Sequence, residues 1–194
     1  MRVLVLYAHP VETSFNAALH AAIVETLRRS HDVDDCDLYA ENFDPRLTRE
    51  ERIGYHEVGP NIEPVRRYVE RVQAAEAIVL SFPVWNFGYP AILKGFFDRV
   101  FLPGVSFELT PEGGVKPKLT QLRKVGAVCT YGGSRLRAFL AGDPPRKAVK
   151  RVLRAQTGSM TTPVTYLAYY GMNTATEATC GAFLKRVKET MAAF

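Results

Sequence analysis

"AIVLSFPVWNFGYPAILKGFFDRVF", residues 77–101, decides the fold. It opens on an almost unbroken apolar run, the pattern of a strand buried on both faces, as parallel strands are. Pro83, Asn86, Gly88 and Pro90 then mark a loop. A helical pattern follows through Phe101, and Pro90 suits its first turn because proline's missing N–H is not needed there. Strand, loop and helix in that order begin a βαβ unit. The loop is unusual in one respect: Trp85, Phe87 and Tyr89 are crowded into a segment that belongs on the surface. Such a wall suits a flat, apolar object.

The alternation repeats along the chain. "RVLVLYA" (residues 2–8) reads as a first strand. Thr13 or Ser14 can cap the helix after it, whose inner stripe is Phe15, Ala18, Leu19, Ala22, Ile23 and Leu27. "DVDDCDLY" is a weaker second strand near an edge. Residues 40–61 form a long link carrying Pro45, Gly54, Gly59 and Pro60, and links of that length usually serve a function. A charged helix at about 62–75 precedes the third strand; "KVGAVCTY" and "PVTYLAYY" are the fourth and fifth. The last helix is expected to open with a capping box of Thr174 and Glu177 and to bury Phe183, Val187, Met191 and Phe194. Strands alternating with helices imply right-handed crossovers and a parallel sheet. Five of them in one domain, residues 1–194, fit the flavodoxin-like doubly wound order 2-1-3-4-5 with helices on both faces. Ligands of such sheets sit beyond the carboxyl ends of the strands, at the switch point.

Hydrophobic residues at 47% and charged residues at 23% exclude a disordered chain. The apolar run Val3 to Ala8 is too short to cross a membrane and has no cleavable-signal layout. Cys36, Cys129 and Cys180 are odd in number and far apart, so neither a metal site nor a disulfide framework is expected. A cytoplasmic protein with reduced thiols follows. The net charge of +5 favours anionic ligands such as nucleotides without pointing to nucleic acid. Its densest basic region, residues 135–154, reads as a helix with Val149, Val152 and Leu153 inside and a solvated basic face outside; a polyanion or partner site is the other reading.

Three loops meet at the switch point: "AHPVETSFN", "FPVWNFGYP" and "TYGGSR". The first leads into a helix start, where free N–H groups favour a phosphate; Thr13, Ser14, Asn16 and His9 add polar groups, although Thr13 or Ser14 also reads as a plain cap and His9 as a satisfied strand-end histidine. The second offers aromatic faces, unless Trp85 and Phe87 cap the core. The third brings backbone close to a ligand through Gly132 and Gly133. Neither a P-loop nor a G-x-G-x-x-G fingerprint is present. Phosphate, flat ring and close backbone together suit a flavin nucleotide.

At these residues the chain resembles the flavodoxin-like NAD(P)H:quinone oxidoreductases, relatives of quinone reductases, modulators of drug activity and bacterial azoreductases. "AHPVETSFNAAL", "DLYAENFDP" and, most specifically, "PAILKGFFDRVF" carry the resemblance, which covers most of residues 3–133. It implies that His9, Thr13, Ser14, Phe15 and Asn16 hold the flavin's phosphate part. Pro83, Val84, Trp85, Asn86 and Phe87 would hold its ring system, and Thr130, Tyr131, Gly132 and Gly133 would line the other edge. It further implies a homodimer, FAD in preference to FMN, and a ping-pong exchange in which NAD(P)H and a quinone-like acceptor use one position in turn. The chain departs from the family at Asn86, where many quinone reductases have Trp, and "WNF" is closer to the Tyr-Asn-Phe loop of FMN-dependent azoreductases. The Tyr and His that better-known members place after the glycine pair are missing, with Ala138 and Phe139 near the expected Tyr.

The expected activity is therefore hydride transfer from NAD(P)H through flavin to quinones or similar electron-poor aromatics. Two rivals are a flavin-binding regulatory subunit of a transporter or other protein, and an electron-carrier flavodoxin. The basic charge and the missing Thr-rich phosphate loop argue against the carrier. Quinone reduction also needs a proton, and no histidine follows the third strand. Tyr131 is the nearest protein donor by motif; it is alternatively a hydrogen-bonding or packing residue, with water as the proton source.

Overall fold

The computed structural model describes residues 1–194. β1 (Arg2–Tyr7), α1 (Phe15–Leu27) and β2 (Asp32–Asp37) are followed by α2 (Arg49–Ile53), a 3-10 turn (Pro60–Val65) and α3 (Arg66–Ala74). β3 (Ala77–Val84) and α4 (Ala91–Val100) come next, then an antiparallel hairpin of β4 (Phe107–Leu109) and β5 (Val115–Pro117). β6 (Lys124–Tyr131), α5 (Arg135–Leu140) and α6 (Pro144–Lys147) lead into a π-helical turn (Ala148–Leu153). β7 (Val164–Tyr169), a 3-10 turn (Met172–Thr174) and α7 (Glu177–Ala192) complete the chain. No helix is long and apolar enough to cross a membrane.

The five long strands form one parallel sheet in the order β2-β1-β3-β6-β7. This is the predicted order, with β6 and β7 as fourth and fifth strands. Successive strand residues face opposite sides. Leu4 and Leu6 of β1 therefore enter one core with Val69, Val72, Leu93 and Phe96, while Val3 and Val5 enter the other with Leu19, Ile23, Val187 and Met191. Both parities must be apolar, since each fully buried aliphatic side chain contributes about 1.5–3 kcal/mol. That requirement produces the near-continuous apolar runs and places helices on both faces.

β2 breaks the pattern with four aspartates and still pairs along β1. Arg71 of α3 makes this tolerable. Its Nε lies 2.9 Å from Asp34 Oδ1 and its Nη1 lies 2.7 Å from Glu41 Oε1. One guanidinium thus pairs with an aspartate of the edge strand and ties down the segment after it.

Several local expectations need correction. The link 40–61 is ordered by α2, whose Thr48 and Glu51 form a reciprocal capping box, and by the start of a 3-10 turn. It is clamped on α4: a Cβ at Gly95 would stand 2.3 Å from the Pro45 carbonyl oxygen, and Arg99 Nε donates to Glu51 Oε1 at 2.9 Å. Ala18 is exposed, and Pro90 is the N-cap of α4 rather than its first residue. Val152 is 60% exposed, while Val149 and Leu153 are buried. In the wide i→i+5 turn, residues four apart share the inner side and Val152 swings outward. The last helix is capped by Thr176 with Thr179, two residues later than the predicted box. The β4–β5 hairpin was not expected, since strands of three residues leave no readable alternation.

Candidate functional site

The loop after β1 ends at Ser14, the N-cap of α1, whose Oγ accepts from the Ala17 N–H at 3.1 Å. The first N–H groups of the helix remain free for an anion. Asn16 is only 2% exposed, and neither its Nδ2 nor its Oδ1 has a hydrogen-bond partner; Tyr7 Oη is orphaned in the same way. A buried unpaired polar group costs about 1–3 kcal/mol, which a ligand group could recover. His9 Nδ1 accepts from the Val11 N–H at 3.0 Å, and burial holds the imidazole below its ordinary value, so it is neutral at pH 7. Thr13 is exposed. The Phe15 ring packs edge-on against Tyr169 at 5.5 Å, so only its backbone belongs to the helix start.

Pro83 and Val84 end β3, paired with Thr130 and Tyr131 of β6. β1 pairs with β3 only as far as Ser81, so proline's missing N–H interrupts no β1 ladder. Asn86 (φ 47°) and Phe87 (φ 57°) are both left-handed, and the Gly88 N–H donates to the Trp85 carbonyl at 2.9 Å. Two consecutive positive φ values make a tight turn of the primed hairpin type. Asparagine tolerates that conformation; phenylalanine does so at a cost of about 1–2 kcal/mol. The turn holds Trp85 and Phe87 outward, 44% and 42% exposed. Tyr89 instead turns in against Phe82 and Phe97. The first two loops touch, with His9 and Trp85 ring centroids 5.7 Å apart.

Thr130 and Tyr131 are buried at the end of β6. Tyr131 Oη donates to Asp143 Oδ1 at 2.6 Å and lies 2.7 Å from Tyr166 Oη, which accepts from Cys129 Sγ at 3.2 Å. Burial raises both phenols and pushes the Cys129 thiol up to about 12, so the three are protonated at pH 7. The glycine pair beyond is braced by the turn after β7. Gly171 N–H donates to the Gly133 carbonyl at 2.8 Å, and a Cβ at Gly132 would stand 3.1 Å from Asn173 Oδ1. Asp143, Tyr166 and Asn173 are thus structural members of the site that sequence reading missed. "GDPP", residues 142–145, announces a turn, but no spacing pairs Asp143 with Tyr131.

A cavity of about 440 Å³ adjoins the first loop, lined by Tyr7, His9, Glu12, His20, Asp37 and Tyr39. The His20 ring stacks on Tyr7 at 4.1 Å and its Nε2 contacts Asp35 Oδ1 at 2.8 Å. No group of three or more His, Cys, Asp or Glu side chains is placed to hold a metal ion.

A parallel sheet of this order, with three strand-end loops gathered at its switch point, is what comparison with known families also returns. The model described as "flavodoxin-like fold" matches residues 1–190. The chain belongs to the flavodoxin-like family. Among its flavodoxin-like relatives, the NAD(P)H dehydrogenase (quinone) 1 of Cavia porcellus is 34% identical over 158 residues, covering 73% of this chain and 57% of that one. The FMN-dependent NADH:quinone oxidoreductase of Brevibacillus brevis is 30% identical over 137 residues, 64% of each chain. The chain spans less than two thirds of the length of these curated relatives. The solved NAD(P)H:quinone oxidoreductase from Methanothermobacter marburgensis superposes with a TM-score of 0.84 at 26% identity, covering 99% of this chain and 98% of that one.

Proposed function

We propose that this chain is a flavin-dependent NAD(P)H oxidoreductase whose acceptors are quinones or similar electron-poor aromatics. One observation carries the reading: a strained turn holds Trp85 and Phe87 outward at the switch point, beside a helix start with an unpartnered buried amide at Asn16. Bound flavin would supply the hydride chemistry, leaving the protein to bind, orient and exclude. The start of α1, with His9, Thr13, Ser14 and Asn16, suits the phosphate-bearing part. Pro83, Val84, Trp85, Asn86 and Phe87 suit the ring, and Thr130 to Gly133 its other edge. Donor and acceptor use one position in turn.

The flavin we assign is FMN. The resemblance implies FAD in preference to FMN, but a curated relative whose name states its flavin is FMN-dependent. Tyr131 is assigned to anchoring the glycine pair, because its hydroxyl already donates to Asp143; water then supplies the proton. A homodimer completes the reading. Tyr89, Phe97, Phe101, Val152 and Leu153 line a shallow apolar depression of about 230 Å³ that a second copy would cover. Light scattering at micromolar concentration checks this, and a fully active monomer would contradict it.

Reconstituting apo-protein with FMN and with FAD, then adding NADPH without oxygen, tests the activity. Retained flavin that is reduced rapidly supports the enzyme. Retained flavin with no reduction, together with a stoichiometric partner on purification, would favour a regulatory subunit.

A further inference from the structure

The basic segment carries a feature that a solvated face does not require. Seven cations and one carboxylate lie within residues 135–154, and the rest of the chain is close to neutral. None of these cations takes part in an ion pair, although arginines elsewhere commonly do, as Arg29, Arg71 and Arg99 illustrate. Three of them converge on one cavity. It measures about 250 Å³ and is lined by Arg135, Phe139, Asp143, Arg146, Lys147 and Tyr170. Asp143 is the only carboxylate in the wall, and its Oδ1 is occupied by the Tyr131 hydroxyl. Arg146 is held by the Tyr166 ring, 5.2 Å from its guanidinium carbon, and by a long contact of 3.5 Å to Tyr170 Oη. Its remaining N–H groups have no protein acceptor. Three cations facing one small cavity repel each other unless an anion is expected there.

Position identifies the anion's carrier. Arg135 is two residues beyond Gly133, and Tyr170 adjoins Gly171, whose N–H holds the Gly133 carbonyl. The cavity therefore adjoins the edge of the site assigned above. The other polar cavities do not compete for it: one adjoins the first loop, already assigned to the flavin, and another has Glu50, Glu51 and Glu57 in its wall. The cavity is too small for a whole dinucleotide but adequate for a phosphorylated ribose. Phe139, 74% exposed, and Tyr170 add ring faces for a base.

We infer that Arg135, Arg146 and Lys147 read the 2′-phosphate of NADPH, so that NADPH is the preferred donor over NADH. The inference rests on the activity proposed above and names its electron donor. Arginine is the usual reader of that phosphate, because its planar fork matches phosphate oxygens.

The test is calorimetric titration of the flavin-loaded protein with 2′,5′-ADP and with 5′-AMP, neither of which can be oxidised. Two or three charge-assisted contacts predict at least about tenfold tighter binding of 2′,5′-ADP, weakening as salt is raised. In the double variant Arg135→Gln, Lys147→Gln, at two exposed positions, the preference should shrink to about a third or less of its parent value. Equal affinity of the two nucleotides, or an unchanged preference in the double variant with native melting, would overturn the inference. Parallel kinetics separate the two claims: equal kcat/KM for NADH and NADPH removes the donor preference but leaves the oxidoreductase standing. Nucleotide binding with no flavin reduction removes the oxidoreductase.

Discussion

Tyr131 Oη stands 2.6 Å from Asp143 Oδ1, joining the end of the β6 strand to the left-handed residue (φ 46°) that caps α6. The contact turns the phenol inward and fixes the strand end from which Gly132 and Gly133 project. Tyr131→Phe should lower the unfolding free energy by about 1–3 kcal/mol, because Asp143 and Tyr166 each lose a partner. Flavin re-oxidation by quinone should stay within about twofold, whereas loss of an obligatory acid would slow it about 10²–10⁴-fold. Chemical denaturation and stopped-flow absorbance measure the two effects separately. Slow re-oxidation with unchanged stability would restore Tyr131 as donor.

Phe87 sits at φ 57°, a conformation that suits glycine. Phe87→Gly should therefore stabilise the apo-protein by about 1 kcal/mol while weakening flavin binding, since a ring proposed to face the flavin is gone. Trp85→Ala has no strain of that kind to relieve and should weaken binding alone, by about 1–3 kcal/mol on the scale of base–aromatic stacking. Melting of apo-protein and flavin titration distinguish the pair. Lowered melting with unchanged affinity in Trp85→Ala would make the indole a packing residue.

Gly95 is the point where the 40–61 segment meets the fourth helix. An added Cβ would stand 2.3 Å from a backbone oxygen of Pro45 and 2.6 Å from its Cα, atoms that cannot rotate away. Gly95→Ala should cost at least about 1–3 kcal/mol, although alanine is the better helix former by about 1 kcal/mol. A melting point at or above that of the parent would show that the segment lifts freely off the helix.

His9 provides a pH dependence of defined sign. Burial holds its folded value below the ordinary imidazole value of about 6.5. Between the two values the unfolded chain binds more protons than the folded one. Stability is therefore complete above about pH 6.5 and falls on acidification towards the folded value. His9→Gln should flatten that part of the profile in urea unfolding followed across pH, and an unchanged slope would exclude His9 as its source.

The sheet was legible because buried parallel strands need apolar residues of both parities, and "RVLVLYA", "AIVLSF" and "KVGAVCTY" supply them. The three loops were legible because Pro, Gly and Asn punctuate them at strand ends; Asn86 stands where a left-handed residue is needed. What stayed hidden depends on turn geometry or on contacts distant in the chain. Thr174 and Glu177 have capping-box spacing, but left-handed Gly171 closes a tight turn in which Thr174 N–H donates to the Gly171 carbonyl at 2.9 Å. The cap moves to Thr176, supported by Thr179, whose hydroxyl lies 2.7 Å from Tyr169 Oη. Whether Tyr131 donates a proton, hydrogen-bonds or packs stayed open in the sequence because its partners Asp143 and Tyr166 carry no local pattern.

The proposed activity requires the switch-point loops to hold a flavin that NAD(P)H reduces. Anaerobic stopped-flow mixing of FMN-loaded protein with NADPH, followed by a soluble quinone, tests it most directly. The expected result is bleaching of the visible flavin absorbance at a rate saturating with NADPH, and full recovery on adding quinone. Protein that fails to retain FMN or FAD, or bound flavin that NADPH and NADH both leave oxidised, would contradict it.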